Sequence, residues 1–286
     1  MNETVISPAR IRFNNWISRF IIKRWMVKSF YNKFNAMLDE RIVFMNWGHA
    51  ALGQGGKELP LDPGDEFHRY PLQMYHKVAS AVDMAGMSVL EIGSGRGGGA
   101  DFLVRSLKPK SYMGLDLSEA NIEFCNRMFA REGLRFRRGN AQNLPFPDEE
   151  FDRVVNVESS HCYPDPGLFL QEVFRVLRHG GYLLMSDFRD IADTVPPSIE
   201  SFTLLLAQIH QAGFKIVVQE DITPNVLASL DLDHDRKVEE LKKMSDAHRK
   251  KMGNVVEWVL ALKNGPIYKD FNEGRKCYIR FVCRKP

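Results

Sequence analysis

The residues best suited to chemistry begin in the run Val89-Leu90-Glu91-Ile92-Gly93-Ser94-Gly95-Arg96-Gly97-Gly98-Gly99. An apolar stretch carrying one acid ends in a glycine-dense turn, and a helical pattern follows. Glycine adopts backbone angles that a Cβ forbids and lets a ligand lie against the main chain. A helix opening after such a turn offers free N–H groups and the positive end of its dipole to an anionic part of that ligand. About 20 residues further on, Asp116 supplies a carboxylate able to accept both hydroxyl protons of a ribose. Asn140-Ala141-Gln142 brings amides and main-chain donors that can read the edge of an adenine. Asn156-Val157-Glu158-Ser159-Ser160-His161-Cys162-Tyr163 holds a carboxyl and an imidazole three residues apart, the types that general acid–base work needs.

The elements that must position these groups follow from periodicity and punctuation. Strands are expected at Ser88–Ile92, Ser111–Leu117, Leu134–Arg138, Phe151–Val157, Tyr182–Asp187, Lys215–Glu220 and Cys277–Cys283. Helices are expected at Pro71–Met84, Ala100–Leu107, Glu119–Glu132 (with Ser118 as N-cap), Gly167–Leu177 (ended by Gly180-Gly181) and Ile199–Ala212. Strands alternating with helices, and strands apolar on both faces (Val154-Val155, Leu183-Leu184-Met185), mean an α/β protein with a covered parallel sheet. Ligands in such sheets bind beyond the C-terminal ends of the strands. The groups named above all fall there, as does Asp187–Arg189.

The flanks differ in character. Between Arg10 and Lys33 stand seven cations and no acid, interleaved with Phe13, Trp16, Ile17, Phe20, Ile21, Trp25 and Phe30. This reads as a basic amphipathic helix, suited either to an anionic membrane or to packing on its own enzyme or a neighbouring subunit. Residues 36–70 read as loop, with Asn46-Trp47-Gly48-His49 in a glycine-rich stretch able to cover a ligand. Residues 222–273 are long for a connection and read as a helical insertion serving as a lid. The expected divisions are 1–70 (basic helix and cap loop), 71–221 (α/β core), 222–273 (helical lid) and 274–286 (final core strand).

Composition sets bounds. The 286 residues are 44% hydrophobic and 26% charged with a net charge of +3, as for a globular protein with a substantial core and no nucleic-acid partner. None of the four cysteines forms a C-x-x-C pair, which speaks against a metal site and a disulfide framework and for a cytoplasmic setting. No apolar run is long enough for a transmembrane helix, and no signal-peptide pattern opens the chain.

The glycine loop alone leaves two cofactors open. Gly93, Gly95 and Gly98 fit the dinucleotide spacing, whereas Glu91 with Gly93, Gly95 and Gly97 fits the acid-x-G-x-G-x-G pattern of S-adenosylmethionine (SAM) sites. Asp116 suits both, since both carry an adenosine ribose. A nicotinamide oxidoreductase of the short-chain type also needs a tyrosine with lysine four residues on, and none of the eight tyrosines has one. A non-catalytic module that binds a membrane or partner through residues 10–35 is a third reading.

The succession of later signatures resembles the class I SAM-dependent methyltransferases. After Glu91–Gly97 come Gly114-Leu115-Asp116-Leu117-Ser118, then Gly139-Asn140-Ala141 with Leu144-Pro145-Phe146. Phe151-Asp152-Arg153-Val154-Val155 and Glu172–Gly181 complete the series. The resemblance implies a Rossmann-like seven-stranded sheet whose last strand is antiparallel. It places Gly93, Ser94 and Gly95 at the amino-acid end of SAM, Asp116 on the ribose, Leu117 and Asn140-Ala141-Gln142 at the adenine, and Asn156 by the methionine portion. Asn140 departs from the Asp usual in the family, and its carbonyl can still accept from an adenine amino group.

Asn156–Tyr163, together with Tyr31 and Phe44–Gly48, is similar to enzymes that methylate carbon or oxygen of lipids, terpenoids and polyketides, which places Tyr31, Asn46 and Trp47 near the cofactor. The implied acceptor is a hydrophobic small molecule. A hydroxyl acceptor needs a base, for which Glu158 or His161 is placed. A carbon acceptor needs cation stabilisation by Glu158, Trp47 and Tyr163. The bland alternative for both residues is a structural hydrogen bond at the strand end.

Overall fold

The computed structural model describes residues 40–53, 55–57, 59–191, 201–243 and 261–286. Tyr31 and the basic amphipathic stretch lie outside the described residues. A 3-10 turn, Pro63–His68, leads into α1 (Arg69–Ala79). The core then alternates β1 (Ser88–Ile92), α2 (Gly98–Leu107), β2 (Ser111–Asp116), α3 (Glu119–Met128), β3 (Leu134–Arg138) and β4 (Phe151–Val157). A short 3-10 turn, Ser160–Cys162, precedes α4 (Pro166–Val176), β5 (Leu177–Asp190), α5 (Phe202–Gln211) and β6 (Lys215–Asp221). Helices α6 (Thr223–Leu232), α7 (His234–Lys243) and α8 (Pro266–Asn272) come before the closing strand β7 (Lys276–Arg284).

The strands form one seven-stranded sheet in the order β3-β2-β1-β4-β5-β7-β6. The first five run parallel. β7 inserts antiparallel between β5 and β6, pairing Phe188 with Tyr278. The expected α/β sheet with an antiparallel last strand is therefore present. Successive residues of the central strands feed two cores. Val89, Val155 and Leu184 face α1, α2 and α3, while Leu90, Val154 and Leu183 face α4 and α5. All six are fully buried, each stabilising by about 1.5–3 kcal/mol, so the site rests on a sheet packed on both faces.

Several boundaries differ from expectation. The composition of 63–68 predicts loop, but Pro63 at the first position with Asp65 and Glu66 behind it starts a 3-10 turn that feeds α1 early, at Arg69. The Ser80 hydroxyl donates to His76 O (2.7 Å) where α1 stops, five residues short of Met84. Gly180-Gly181 does not end α4: Leu177 already turns into β5, and Gly180 (φ 76°) instead donates its N–H to Lys285 O. Helix α3 stops at Met128 rather than Glu132 because Phe129 leaves helical angles.

Within the expected helical insertion 222–273, α6 and α7 are helical as far as Lys243, and 244–260 lie outside the described residues. The described part of 222–273 packs on the cap loop: Ser229 Oγ donates to Trp47 O (3.0 Å), and Ala50 N–H to Asn225 O.

Gly99 is a close approach of α2 to α1, for a Cβ there would stand 2.1 Å from the Tyr75 ring. Gly99→Ala is expected to lower unfolding stability by about 1–3 kcal/mol, the usual cost of overpacking. An unchanged urea midpoint would contradict this packing.

Candidate active site

Five parallel strands end on one edge of the sheet, and the residues after them, with the cap segment 43–47, enclose a cavity. The β1 turn lies against β2 because Gly93 and Ser94 both donate to Leu115 O (2.8 and 3.0 Å). Asp116, at the tip of β2, accepts from Gly95 N–H (2.9 Å) and Ser118 N–H (2.8 Å) and from the Asn121 amide (3.2 Å). It therefore fixes the glycine turn and the start of α3 while facing the cavity. Burial raises its carboxyl above the ordinary value against the pull of those donors. Ser118 is the N-cap of α3, as expected.

The first half of the cavity brings together Gly93, Ser94, Gly95, Asp116, Leu117, Asn140, Ala141 and Gln142, with Asn46 and Trp47 from the cap. Asn140 Oδ1 accepts from Gln142 N–H (3.1 Å), so the β3 loop presents a shaped edge. The Ser94 hydroxyl and the Asn46 amide nitrogen are buried in this wall and have no partner among the described residues. Buried polar atoms are ordinarily satisfied. Two orphans beside the glycine turn, a ribose-type carboxylate and an apolar slot at Leu117 and Ala141 fit the amino-acid, ribose and adenine parts of SAM.

Asn156 is the exception among the expected cofactor residues. It lies behind the wall, fully buried, donating from Nδ2 to Ile92 O (2.8 Å), Ser159 Oγ (2.7 Å) and Tyr163 Oη (3.1 Å). Side chains alternate along a strand, so the next residue, Val157, faces the cavity instead. Glu91 also stays out of the wall. It accepts from the hydroxyls of Tyr75 (2.8 Å) and Tyr112 (3.0 Å), and burial pushes its carboxyl up to about 7.

The second half holds Glu158, His161, Cys162, Tyr163 and Phe188. Glu158 has a left-handed backbone (φ 49°), rare for a residue with a side chain and typical of functional sites. Its Oε2 accepts from Trp47 N–H (2.9 Å) and from the Tyr278 hydroxyl (2.7 Å). Burial outweighs both donors and pushes its carboxyl up to about 8.

His161 Nδ1 meets Asp187 Oδ1 at 2.9 Å, while Asp187 Oδ2 accepts from His161 N–H (2.9 Å) and Ser160 Oγ (2.6 Å). The fully buried Arg189 guanidinium stands 3.2 Å from the same oxygen. Burial opposes ionisation of Asp187, but His161 and Arg189 hold its carboxyl well below the ordinary range. Burial likewise pushes His161 down, and the Cys162 sulfur and the Asp187 carboxylate outweigh it, so the imidazole sits well above its ordinary value. The His161 ring also packs on Phe188 (centroids 4.3 Å), which stacks on Trp47 (4.7 Å).

Sequence reasoning did not mark Val43, Tyr75, Asn121 or Tyr278 as site residues, the first three in the wall and the last behind Glu158. Val43, Tyr75 and Tyr278 offer only apolar spacing, which any core residue shares, and Asn121 reads as an ordinary polar helix position. Among the described residues no cluster of His, Cys, Asp and Glu is placed to hold a metal ion, and no helix is long and apolar enough to cross a membrane.

Comparison with known proteins agrees with this geometry. A family model described as a methyltransferase domain matches residues 90–185. A fatty-acid O-methyltransferase of Mycolicibacterium smegmatis is 50% identical over 151 residues, 53% of this chain and 54% of that protein. A phthiotriol/phenolphthiotriol dimycocerosates methyltransferase of Mycobacterium tuberculosis is 43% identical over 194 residues, 68% of this chain and 71% of that protein. The chain thus matches only about half the length of the first relative. Among solved structures, a geranyl diphosphate C-methyltransferase of Streptomyces coelicolor in complex with S-adenosyl-L-homocysteine superposes with a TM-score of 0.67 at 16% identity, covering 92% of this chain and 98% of that one. At that identity the likeness is one of fold.

Asp116→Ala should weaken SAM binding by about 1.5–3 kcal/mol, the loss of charge-assisted hydrogen bonds. Calorimetric titration checks this, and unchanged affinity would remove Asp116 from the cofactor site.

Proposed function

The chain belongs to the SAM-dependent methyltransferases, and we propose that it methylates an oxygen of an apolar, lipid-like acceptor, with His161 as the base. SAM, when bound, supplies a methyl group that is already a strong electrophile, so the protein's task is alignment, exclusion of water and removal of one proton. Gly93, Ser94, Gly95, Asp116, Leu117, Asn140, Ala141 and Gln142 would hold the cofactor, with Asn46 and Trp47 closing over it. Tyr31, outside the described residues, belongs to the same expected set.

The observation that carries the reading is the His161–Asp187 pair. Asp187 takes Nδ1 of an imidazole that lines the cavity beside Cys162, in a wall also formed by Trp47, Tyr163 and Phe188. A base anchored by a buried carboxylate suits proton abstraction from an alcohol. The relatives' names, one an O-methyltransferase of fatty acids and one a methyltransferase of a complex lipid, support an apolar acceptor. They extend to this chain only as far as the matched portions allow.

The basic stretch 10–33 is assigned to contact with an anionic lipid surface, where such an acceptor resides, rather than to a second subunit. Residues 40–45 lead from the surface ion pairs Glu40–Arg127 and Arg41–Glu240 straight into the cavity wall at Val43–Met45, which supports entry from that side. The four cysteines are free, in line with the proposed cytoplasmic setting. Neutral replacement of Arg19, Lys23 and Arg24 should abolish sedimentation with anionic vesicles and leave SAM affinity intact; retained sedimentation would refute the contact.

His161→Ala should lower turnover by about 100-fold or more with SAM affinity kept; near-wild-type turnover excludes the base. Because a base works only when deprotonated, and the Cys162 sulfur and Asp187 together hold His161 above its ordinary value, the rate should climb with pH through a midpoint above the usual histidine range. Asp187→Asn should move that midpoint down. A pH–rate profile that does not respond to Asp187→Asn would detach the pair from catalysis.

A further inference from the structure

Glu158 is buried where the two halves of the cavity meet. Its neighbour Ser159 abuts the glycine turn so closely that a Cβ on Gly93 would come within 2.4 Å of the Ser159 hydroxyl. On the other side stand His161 and Phe188. The carboxyl is held by Trp47 N–H from the cap and by the Tyr278 hydroxyl from β7, both on Oε2, so Oε1 accepts no hydrogen bond among the described residues. The backbone is kept in its left-handed turn by Glu158 N–H donating to Ser186 O (2.8 Å). A site that spends backbone strain and two neutral donors on one carboxyl, without giving it a salt bridge among the described residues, leaves its charge to be decided by what enters the cavity.

We infer that Glu158 reads the charge of the cofactor: it gives up its proton when positively charged SAM occupies the cavity and takes one back when the neutral product S-adenosylhomocysteine remains, so that the site discriminates substrate from product. The titratable groups facing Glu158 are the phenols Tyr75 on α1 and Tyr278 on β7, His161 on the 3-10 turn, Asp187 on β5 and Lys237 on α7. His161 favours the ionised form and Asp187 opposes it, and burial dominates both, so the carboxyl is mostly neutral at pH 7. A sulfonium in the same enclosed space adds one unit of positive charge, and ionised Glu158 offsets it, its proton passing to solvent. S-adenosylhomocysteine has the same adenosine and amino-acid parts and no sulfonium, so Glu158 stays protonated beside it. The sign follows: SAM affinity rises with pH towards about 8, by up to tenfold per unit, while S-adenosylhomocysteine affinity does not follow. The inference rests on the cofactor and not on the acceptor, so its failure leaves the oxygen-methylation reading standing.

Titration calorimetry at pH 7 in buffers of differing ionisation enthalpy tests it with the full chain and no acceptor. SAM should release close to one proton, and S-adenosylhomocysteine close to none. Glu158→Gln keeps an oxygen for Trp47 N–H and Tyr278, and should abolish the release and narrow the affinity gap between the two ligands. His161→Asn should keep the release. Equal release with both ligands, release surviving Glu158→Gln, or release lost in His161→Asn would each overturn the assignment. If Glu158→Gln fails to fold, the wild-type comparison of the two ligands decides the matter alone.

Discussion

The half of the cavity that holds His161 depends on one buried carboxylate, Asp187. It sits in β5 just past the level where β4 ends, with its two oxygens taking His161 Nδ1, His161 N–H, Ser160 Oγ and Phe188 N–H, and with Arg189 beside it. Removing a charge from water is costly unless paired and hydrogen-bonded. Here Arg189 meets the charge, and the donors fix the β4 turn. The register of β4 on β5, which pairs Val157 with Ser186, sets Asp187 level with the turn that follows β4. Were that register to slip by one residue, Asp187 would face the opposite side of the sheet and His161 would lose its anchor.

The half at the glycine turn is built differently. It uses main-chain donors, glycine geometry and one carboxylate just beyond strand ends, with Asn46 and Trp47 added from the cap. A parallel sheet makes such a place by construction, which is why unrelated chemistries share the fold. What distinguishes this chain is the material packed beside it: the aromatic series Trp47, Phe188 and His161, and the carboxyl of Glu158 held between the cap and β7. Asn225 and Ser229 of α6 then lock the cap from behind, so the insertion reaches the cavity through Trp47.

How much of this could be read from the residues follows from distance along the chain. The glycine turn, Asp116, and Asn140–Gln142 are local patterns that need only a strand and a turn, and they line the cavity as expected. Glu158, His161 and Asp187 were legible as residues beyond strand ends. The His161–Asp187 contact was not, because it depends on strand register. Tyr278 and Trp47 reach Glu158 from 120 and 111 positions away, the first through an antiparallel strand added last. Asn156 was misplaced by one step of strand alternation, and the ends of α1 and α4 by side-chain caps and a turn that composition does not reveal.

The account stands or falls on where the methyl group goes. With methyl-labelled SAM, an apolar extract of the source organism and the full chain, mass spectrometry and NMR of the labelled product locate the transferred carbon. The account predicts a methyl bonded to oxygen in a lipid-soluble product. A methyl bonded to carbon, or label confined to water-soluble products, would contradict it.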